Sequence, residues 1–221
     1  MTADLDLPAK PQSRSDIARE KILNAALEMI AECGLPSVSH RMIARRAGVQ
    51  LSLTSYYFGT LENLLTACHD HLTARTRSHL DNLSANLGAL LAAAGPPETR
   101  PAEESRRVAA EAADLIADYI CEGVARLRVE LAAECNYLYA WSLPPELRLK
   151  VQRQDRELHD LAERLVSRFS TKAPEIDGAL IVMLIRDAEF RHFSTGCAPD
   201  RERLRRTLYR LMLGFLPDLP A

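Results

Sequence analysis

Aromatic residues and glycine are scarce in this chain of 221 residues, with Phe, Trp and Tyr making up 5% and glycine occurring nine times. Strands favour aromatic and β-branched side chains, and their tight turns favour glycine, so the composition argues against a sheet protein. Ala, Leu, Arg and Glu are abundant instead, and these residues lose little conformational freedom in a helix. We predict an all-α fold of about nine helices.

Paired cysteines and long apolar runs are also missing. The five cysteines are odd in number, widely scattered and free of any CxxC pair, which argues against a disulfide framework and against a structural zinc site. No window approaches the ~18 uninterrupted apolar residues that a membrane span needs. The first residues lack the basic-then-apolar order of a secretory signal. We expect a cytoplasmic protein with no membrane partner.

Recognisable catalytic motifs are absent as well: there is no Gly-rich phosphate loop, no GxSxG and no HExxH. His192 lies near Asp187 and Glu189, which could suggest acid–base chemistry, but a charged patch beside a dimer interface also explains this grouping. The sequence "CHDH" at residues 68–71 places two metal-type ligands on one helical face, with no second cluster to complete a site. We expect no enzyme activity, no catalytic residue, no cofactor and no metal.

Helical periodicity and its interruptions divide the chain. Residues 1–14 have mixed charge and two prolines and are interpreted as a flexible arm. Three short helical patterns fill residues 15–60, and longer ones fill 61–221. A long fourth helix should begin after Thr60, a candidate cap, and reach the breaker region 94–101. Further helices are predicted over residues 103–120, 122–141, 145–169, 176–196 and 200–216.

The segment "SVSHRMIARRAGVQLSLTSYYFGTLENLL", residues 37–65, packs two short helical patterns around one Ala-Gly-Val turn. Ser39 is placed to cap the first pattern, Gly48 to end it, and the second covers about 50–57. Two short helices with a three- or four-residue glycine turn form a helix-turn-helix, whose second helix enters the DNA major groove. An ordinary three-helix packing unit with a solvated arginine face has the same spacing, and the pattern alone leaves both interpretations open.

Charge favours the DNA interpretation. Residues 10–60 carry seven Lys or Arg against four Asp or Glu, whereas the whole chain has a net charge of −2. Positive charge is therefore concentrated at the end of the chain that contains the helix-turn-helix pattern. The outward side of the third helix offers small hydroxyls, an apolar side chain and phenols, which suit base edges, thymine methyl groups and phosphate oxygens.

Residues 16–65 resemble the DNA-binding domain of TetR/AcrR-type transcriptional regulators. The matching motifs are "ILNAALEMIAECG" in helix one, "IARRAGV" across helix two and the turn, "YYF" closing helix three and "GTLENLL" opening helix four. The resemblance implies an all-α homodimer with an operator-binding N-terminal domain, 15–60, and an effector-binding and dimerisation domain, 61–221. Outward position and resemblance together give these candidate DNA-contacting residues: His40, Arg41, Gln50, Leu51, Ser52, Leu53, Ser55, Tyr56, Tyr57 and Thr60.

The chain departs from the family pattern at three positions. Ser52 stands where glycine is frequent, Ser55 where tyrosine is frequent, and Leu61 where a lysine usually contacts phosphate. Tyr56 beside Tyr57 could replace the lost phosphate contact through its phenol. Leu61 could instead pack inward.

The C-terminal domain implied by the resemblance binds a small effector and dimerises, and an apolar effector suits a helical bundle. Candidate pocket residues, each also explicable as core, are Tyr119, Cys121, Leu127, Leu131, Cys135, Tyr139 and Trp141. Candidate dimer-interface residues on the last two helices are Leu180, Met183, Leu184, Leu208, Leu211 and Met212. A two-fold dimer sets its recognition helices about 34 Å apart and predicts a palindromic operator. Repression relieved by the effector is the expected mechanism; a helical enzyme and a protein-binding helical adaptor are the alternatives.

Overall fold

The computed structural model describes residues 14–169 and 172–216. Within these ranges the chain is all-α, as predicted, and forms nine α-helices joined by short connections and three 3₁₀ turns. The helices are α1 (Arg14–Cys33), α2 (His40–Ala47), α3 (Leu51–Phe58), α4 (Leu61–Ala93), α5 (Ala102–Arg126), α6 (Arg128–Leu138), α7 (Pro145–Val166), α8 (Pro174–Thr195) and α9 (Arg201–Leu213). The flexible arm expected at residues 1–14 lies outside the described residues except for its last one.

Local signals set the ends of the short helices. The Ser39 hydroxyl accepts a hydrogen bond from the backbone N–H of Met42 at 3.4 Å and caps α2, as predicted. Gly48 ends α2 with φ of 65°, a left-handed conformation that glycine adopts without steric cost. The Thr60 hydroxyl accepts from the N–H of Asn63 at 3.1 Å and starts α4. These three residues confirm the predicted helix-turn-helix boundaries to within one residue.

Two hydrophobic cores divide the molecule. The first joins α1, α2 and α3 to the N-terminal half of α4, to α6 and to the start of α7. The second joins the C-terminal half of α4 to α5, α8 and α9. Helix α4 contributes Leu64 and Leu72 to the first core and Leu87 and Leu91 to the second. At about 1.5 Å per residue, its 33 residues extend roughly 50 Å, so one rigid element connects both cores.

The boundary between α5 and α6 differs from the prediction. The sequence suggested a break near Cys121, but α5 continues to Arg126 and the break is at Leu127, with φ of −119° and ψ of 32°. Gly123 of α5 leaves room for the His79 side chain of α4. A Cβ atom there would lie 2.9 Å from Nε2 of His79.

Helices α7 and α8 approach even more closely. A Cβ atom at Gly178 of α8 would lie 2.8 Å from the backbone nitrogen of Glu163 in α7, so the two backbones meet where α8 has no side chain. In the ranges that the structure describes, no helix has the length and apolar character required to cross a membrane.

Candidate nucleic-acid interface and internal cavity

Helix α3 has one side in the first core and the other in solvent. Thr54 and Phe58 are buried, whereas Ser52, Ser55 and Tyr56 are exposed, with 79% of Tyr56 accessible. This alternation follows the helical period, since residues three and four positions apart share a face. The exposed side therefore presents two hydroxyls and a phenol together.

The remaining predicted DNA-contacting residues surround this face in different environments. Gln50 and Leu51 are exposed at the start of α3, and Arg41 is exposed on α2. Leu53 and Tyr57 are half-buried against the first core. His40 is also half-buried, and both of its ring nitrogens are buried without a hydrogen-bond partner among the described residues. Thr60 is exposed, but its hydroxyl caps α4.

Charged contacts fix α2 and α3 on α1. Arg46 of α2 contacts Glu28 at 3.2 Å and Glu32 at 2.6 Å, and these hydrogen bonds lower the pKa of Glu32. The guanidinium of Arg19 lies 5.5 Å from the ring centre of Phe58, a cation–π contact between α1 and α3. The charge of Arg46 is thus matched within the protein, whereas Arg41 is exposed and forms no ion pair with any residue the structure describes.

Leu61, which replaces the usual lysine, is partly buried and packs against the first core. Its side chain therefore helps to anchor the first turn of α4 to the helix-turn-helix.

The "CHDH" side chains do not meet at a common point. The Cys68 thiol is buried, which raises its pKa to about 12, while His71 contacts the side-chain oxygen of Asn24 at 2.9 Å. Asp70 pairs with Lys150 of α7 at 2.6 Å. Among the described residues no group of three or more metal-type side chains comes together.

A cavity of about 360 Å³ lies among α4, α5, α7 and α8, closed on one side by α6. Its wall is mainly apolar, which suits a small organic molecule. Representative apolar wall residues are Leu83, Leu87, Ile116, Leu161 and Ile185.

A buried polar cluster forms one part of this wall. Nη1 of Arg186 lies 2.8 Å from Oε1 of Glu134 and 3.7 Å from Oε2 of Glu189. Gln154 donates to Glu134 at 3.4 Å, and the Thr73 hydroxyl donates to Gln154 at 2.8 Å. The cluster thereby connects α8, α6 and α7 to α4, the helix that enters the helix-turn-helix.

The sequence analysis grouped Glu189 with Asp187 and His192 in a charged patch beside a dimer interface, but the structure buries Glu189 inside the chain. The residue is only 2% exposed, because α8 packs into the second core on this side. Burial raises the pKa of Glu189 to about 7; the Arg186 charge opposes the rise and the Glu134 charge adds to it. Arg186 and Glu189, three positions apart on a mainly apolar helix, were the available signal of a buried ion pair.

Two of the predicted pocket residues line the cavity. Tyr119 and Leu131 are both in its wall. The Tyr119 ring stacks on the His79 ring with centroids 4.3 Å apart, and His79 Nε2 lies 2.9 Å from the Tyr119 carbonyl oxygen. This stack joins α4 to α5 beside the cavity.

The other predicted pocket residues lie elsewhere. Cys135, Tyr139 and Trp141 line a second, shallower cavity of about 650 Å³ between α1, α6 and α8, where Trp141 is fully exposed. Cys121 and Leu127 line neither cavity. The predicted residues are therefore divided between two cavities, and two of them lie in neither.

The predicted dimer residues also separate into two groups. Leu180 and Met183 are exposed on α8, at 38% and 63%, next to exposed Ile176. Leu184 and Leu211 are half-buried. The remaining two, Leu208 and Met212, are buried in the second core of the same chain, so their side chains are not available at the surface.

Comparisons with known proteins agree with this architecture. Residues 22–68 match the family model described as bacterial regulatory proteins, tetR family. A similar sequence is the HTH-type transcriptional regulator BetI of Burkholderia mallei (strain NCTC 10229), which is 33% identical over 86 residues, 35% of this chain and 44% of BetI. The chain thus aligns with less than half the length of this curated relative.

Solved structures share the fold over nearly the whole chain. NalD of Pseudomonas aeruginosa, the secondary repressor of the MexAB-OprM multidrug efflux pump, has a TM-score of 0.60 and 19% identity, covering 94% of this chain and 100% of NalD. A transcriptional-regulator structure from Saccharomonospora viridis, in complex with choline, has a TM-score of 0.64 and 16% identity, covering 89% and 95%. Residues 22–68 therefore match the tetR family of bacterial regulatory proteins, and the chain as a whole shares the fold of solved transcriptional regulators.

Proposed function

We propose that the protein is a homodimeric repressor that binds a palindromic DNA operator and is released from it by a small, mainly apolar effector. The exposed side of α3 is the observation that carries this proposal. Ser52, Ser55 and Tyr56 form a polar surface on a frame that matches the family's DNA-binding domain. In this proposal, residues 15–60 bind DNA, and residues 61–221 bind the effector and dimerise.

The proposed DNA contacts fall into two groups: contacts to base edges, which recognise the sequence, and contacts to phosphates, which position the protein on the duplex. Ser52 and Leu51 face base edges, where a hydroxyl can accept or donate and an apolar side chain can contact a thymine methyl group. Arg41, Ser55 and Tyr56 contact phosphates and set the register of α3 in the major groove. The half-buried His40, Leu53 and Tyr57 support this surface from beneath.

Repression and effector release are supported by related folds and by the cavity. NalD is a repressor, and the Saccharomonospora viridis structure holds a small organic molecule. In this chain, Thr73, His79 and Leu83 of α4 line the cavity, and the same helix packs under α3. A ligand that binds one arrangement of α4 more tightly than another shifts the equilibrium between these arrangements. The size of the shift is set by the difference in binding free energy, and the fraction of protein able to bind DNA changes accordingly.

Dimerisation is assigned to α8 and α9. Ile176, Leu180 and Met183 form an exposed apolar stripe on α8 at helical spacing, and Leu211 of α9 is partly accessible. A two-fold axis through this surface makes the interface self-complementary and places two α3 helices about one DNA turn apart. The protein acts in the cytoplasm as a DNA-binding regulator, without enzyme activity.

Selection of binding sites from a random duplex library by the full-length protein tests this proposal. We expect an enriched palindrome with half-site centres about ten base pairs apart. Fluorescence anisotropy on the enriched duplex should then show two chains per site, with affinity that falls steeply as salt concentration rises.

Tyr56→Phe and Ser52→Ala separate the two proposed roles. The first should weaken binding to the enriched and scrambled duplexes alike, and the second should change the preference between them. Tyr139→Phe, an exposed tyrosine outside the helix-turn-helix, is the control and should leave both affinities unchanged. Failure of the selection to enrich any sequence would overturn the proposal.

A further inference from the structure

We propose that the internal cavity binds an organic cation, a protonated amine attached to an apolar body, with Glu189 accepting a hydrogen bond from its ammonium group. The inference rests on the proposed function, because this ligand would be the effector. It adds to the proposed function that the mainly apolar effector carries a positive charge.

The buried charges of the cavity wall do not balance. Two carboxylates, Glu134 and Glu189, face one guanidinium, Arg186, and all three side chains are at most 12% exposed. When both carboxylates are ionised, the wall carries one excess negative charge away from water. Burying an uncompensated charge is costly, so a cation from outside the protein is favoured there.

Other charged groups at the cavity do not compensate this charge. Arg77 pairs with Asp81 at 3.4 Å and both are exposed. Glu157 and Arg164, also in the wall, are exposed to water on α7. Water screens such exposed groups, whereas the buried cluster is screened much less.

Hydrogen bonding points to the same ligand class. Oε2 of Glu189 is buried and has no hydrogen-bond partner among the described residues. Its 3.7 Å separation from Nη1 of Arg186 is an ion-pair distance, too long for a hydrogen bond. Nε of Arg186 is likewise unsatisfied, but an anion placed there would face both carboxylates. An ammonium N–H at Oε2 would supply the missing donor and the missing charge together.

The apolar and aromatic part of the cavity wall indicates the chemical character of the rest of the ligand. Leu83, Leu87 and Ile116 surround the space beside the polar cluster and favour an apolar body. The Tyr119 ring is also in the wall, and an aromatic face attracts a cation within about 6 Å of its centre. The cavity therefore offers a polar surface for the ammonium group of the ligand and an apolar surface for its hydrocarbon body.

Isothermal titration calorimetry on the full-length protein near pH 8 tests the inference with three probes of similar size. They are 4-phenylbutylamine, a cation; 4-phenylbutan-1-ol, a neutral analogue; and 4-phenylbutanoate, an anion. We expect the amine to bind about ten- to a hundredfold more tightly than the alcohol, as for a charge-assisted hydrogen bond, and the anion to bind least. Glu189→Gln keeps the shape and removes the charge, so it should abolish the preference for the amine.

Glu122→Gln is the matched control, because Glu122 is an exposed carboxylate of α5 outside the cavity wall. It should leave the preference for the amine unchanged. Equal binding of amine and alcohol, a preference that survives in Glu189→Gln, or no binding of any probe would each overturn the inference. Operator affinity is measured separately: amine binding without any change in operator affinity would refute effector release while the cation site stands.

Discussion

Nη1 of Arg186 lies 3.7 Å from Oε2 of Glu189, one turn further along α8, although both side chains are almost fully buried. The shorter contact of the same nitrogen, 2.8 Å, goes to Glu134 on α6. Arg186 thus neutralises one carboxylate closely and the other only partly. Burial raises the pKa of Glu189 to about 7, and the Arg186 charge offsets this rise only in part.

The first prediction concerns pH and stability. The pKa of Glu189 rises from 4.5 to about 7 on folding, so the folded state holds this proton more tightly. The stabilisation is fully present below about pH 4.5 and is lost as pH rises through about 7. Between about pH 5 and pH 9, the wild type should lose roughly 2 to 3 kcal/mol of unfolding free energy relative to Glu189→Gln.

Urea unfolding of both proteins across this range measures the difference. The groups that interact with Glu189 are Arg186, Glu134, Tyr119, Tyr139 and Cys135. Burial raises the pKa of Cys135 to about 12, so its thiol does not titrate in this range. Parallel stability curves for wild type and Glu189→Gln would contradict the prediction.

The second prediction compares two arginines of α2. Arg41 is exposed and unpaired among the described residues, whereas Arg46 is matched by Glu28 and Glu32. Arg41→Ala should weaken operator binding and lower the slope of log affinity against log salt by about one per protomer, because one phosphate contact and its counterion release are lost. Arg46→Ala should leave the slope unchanged. Equal slopes for the two variants in anisotropy titrations would refute the distinction.

The third prediction concerns the exposed stripe of α8. Met183→Glu places a charge on the proposed interface, where it would be buried against the partner without a counter-charge, so the protein should become monomeric. Operator affinity should then fall at least about tenfold, since the second half-site is no longer tethered. Sedimentation velocity measures the oligomeric state.

Leu149→Glu is its control. Leu149 is 61% exposed on α7, away from the stripe, so this variant should remain dimeric. A Met183→Glu protein that sediments as a dimer would place the interface on another surface.

The fourth prediction uses two helical glycines. Gly178→Ala should destabilise the protein by about 1 to 3 kcal/mol, because the new methyl group meets the α7 backbone at 2.8 Å and neither backbone can move aside cheaply. Gly88→Ala in α4 meets nothing within 4 Å and should stabilise by about 0.5 to 1 kcal/mol through helix propensity. Thermal unfolding of the two variants measures whether stability falls in Gly178→Ala and rises in Gly88→Ala. A Gly178→Ala protein as stable as wild type would show that α7 and α8 can separate freely.

Sequence reasoning predicted the parts of the fold that local chemistry determines. Ser39, Gly48 and Thr60 act through backbone hydrogen bonds or backbone conformation within a few residues, and their helix ends were confirmed. The break at Leu127 was missed because neither glycine nor proline marks it. Tertiary packing of α5 and α6 against α4 determines its position instead.

The cavity was harder to predict than the DNA-binding surface. The exposed side of α3 follows from helical periodicity within a single segment. The cluster of Glu134, Gln154 and Arg186 requires three helices that are distant in sequence. Burial of Glu189 also depends on the rotation of α8, and an apolar helix does not reveal from its sequence which side faces the core.

Tyr137 of α6 is buried in the first core, and its hydroxyl donates to the carbonyl oxygen of Leu65 at 2.9 Å. The hydrophobic interior beneath α3 is therefore built partly from the C-terminal half of the chain. A hybrid regulator made by joining residues 14–60 to the body of another family member would replace one side of this interior with foreign side chains. Retargeting this protein to a new promoter is better achieved by grafting the exposed side of α3 alone, leaving every buried partner in its original context.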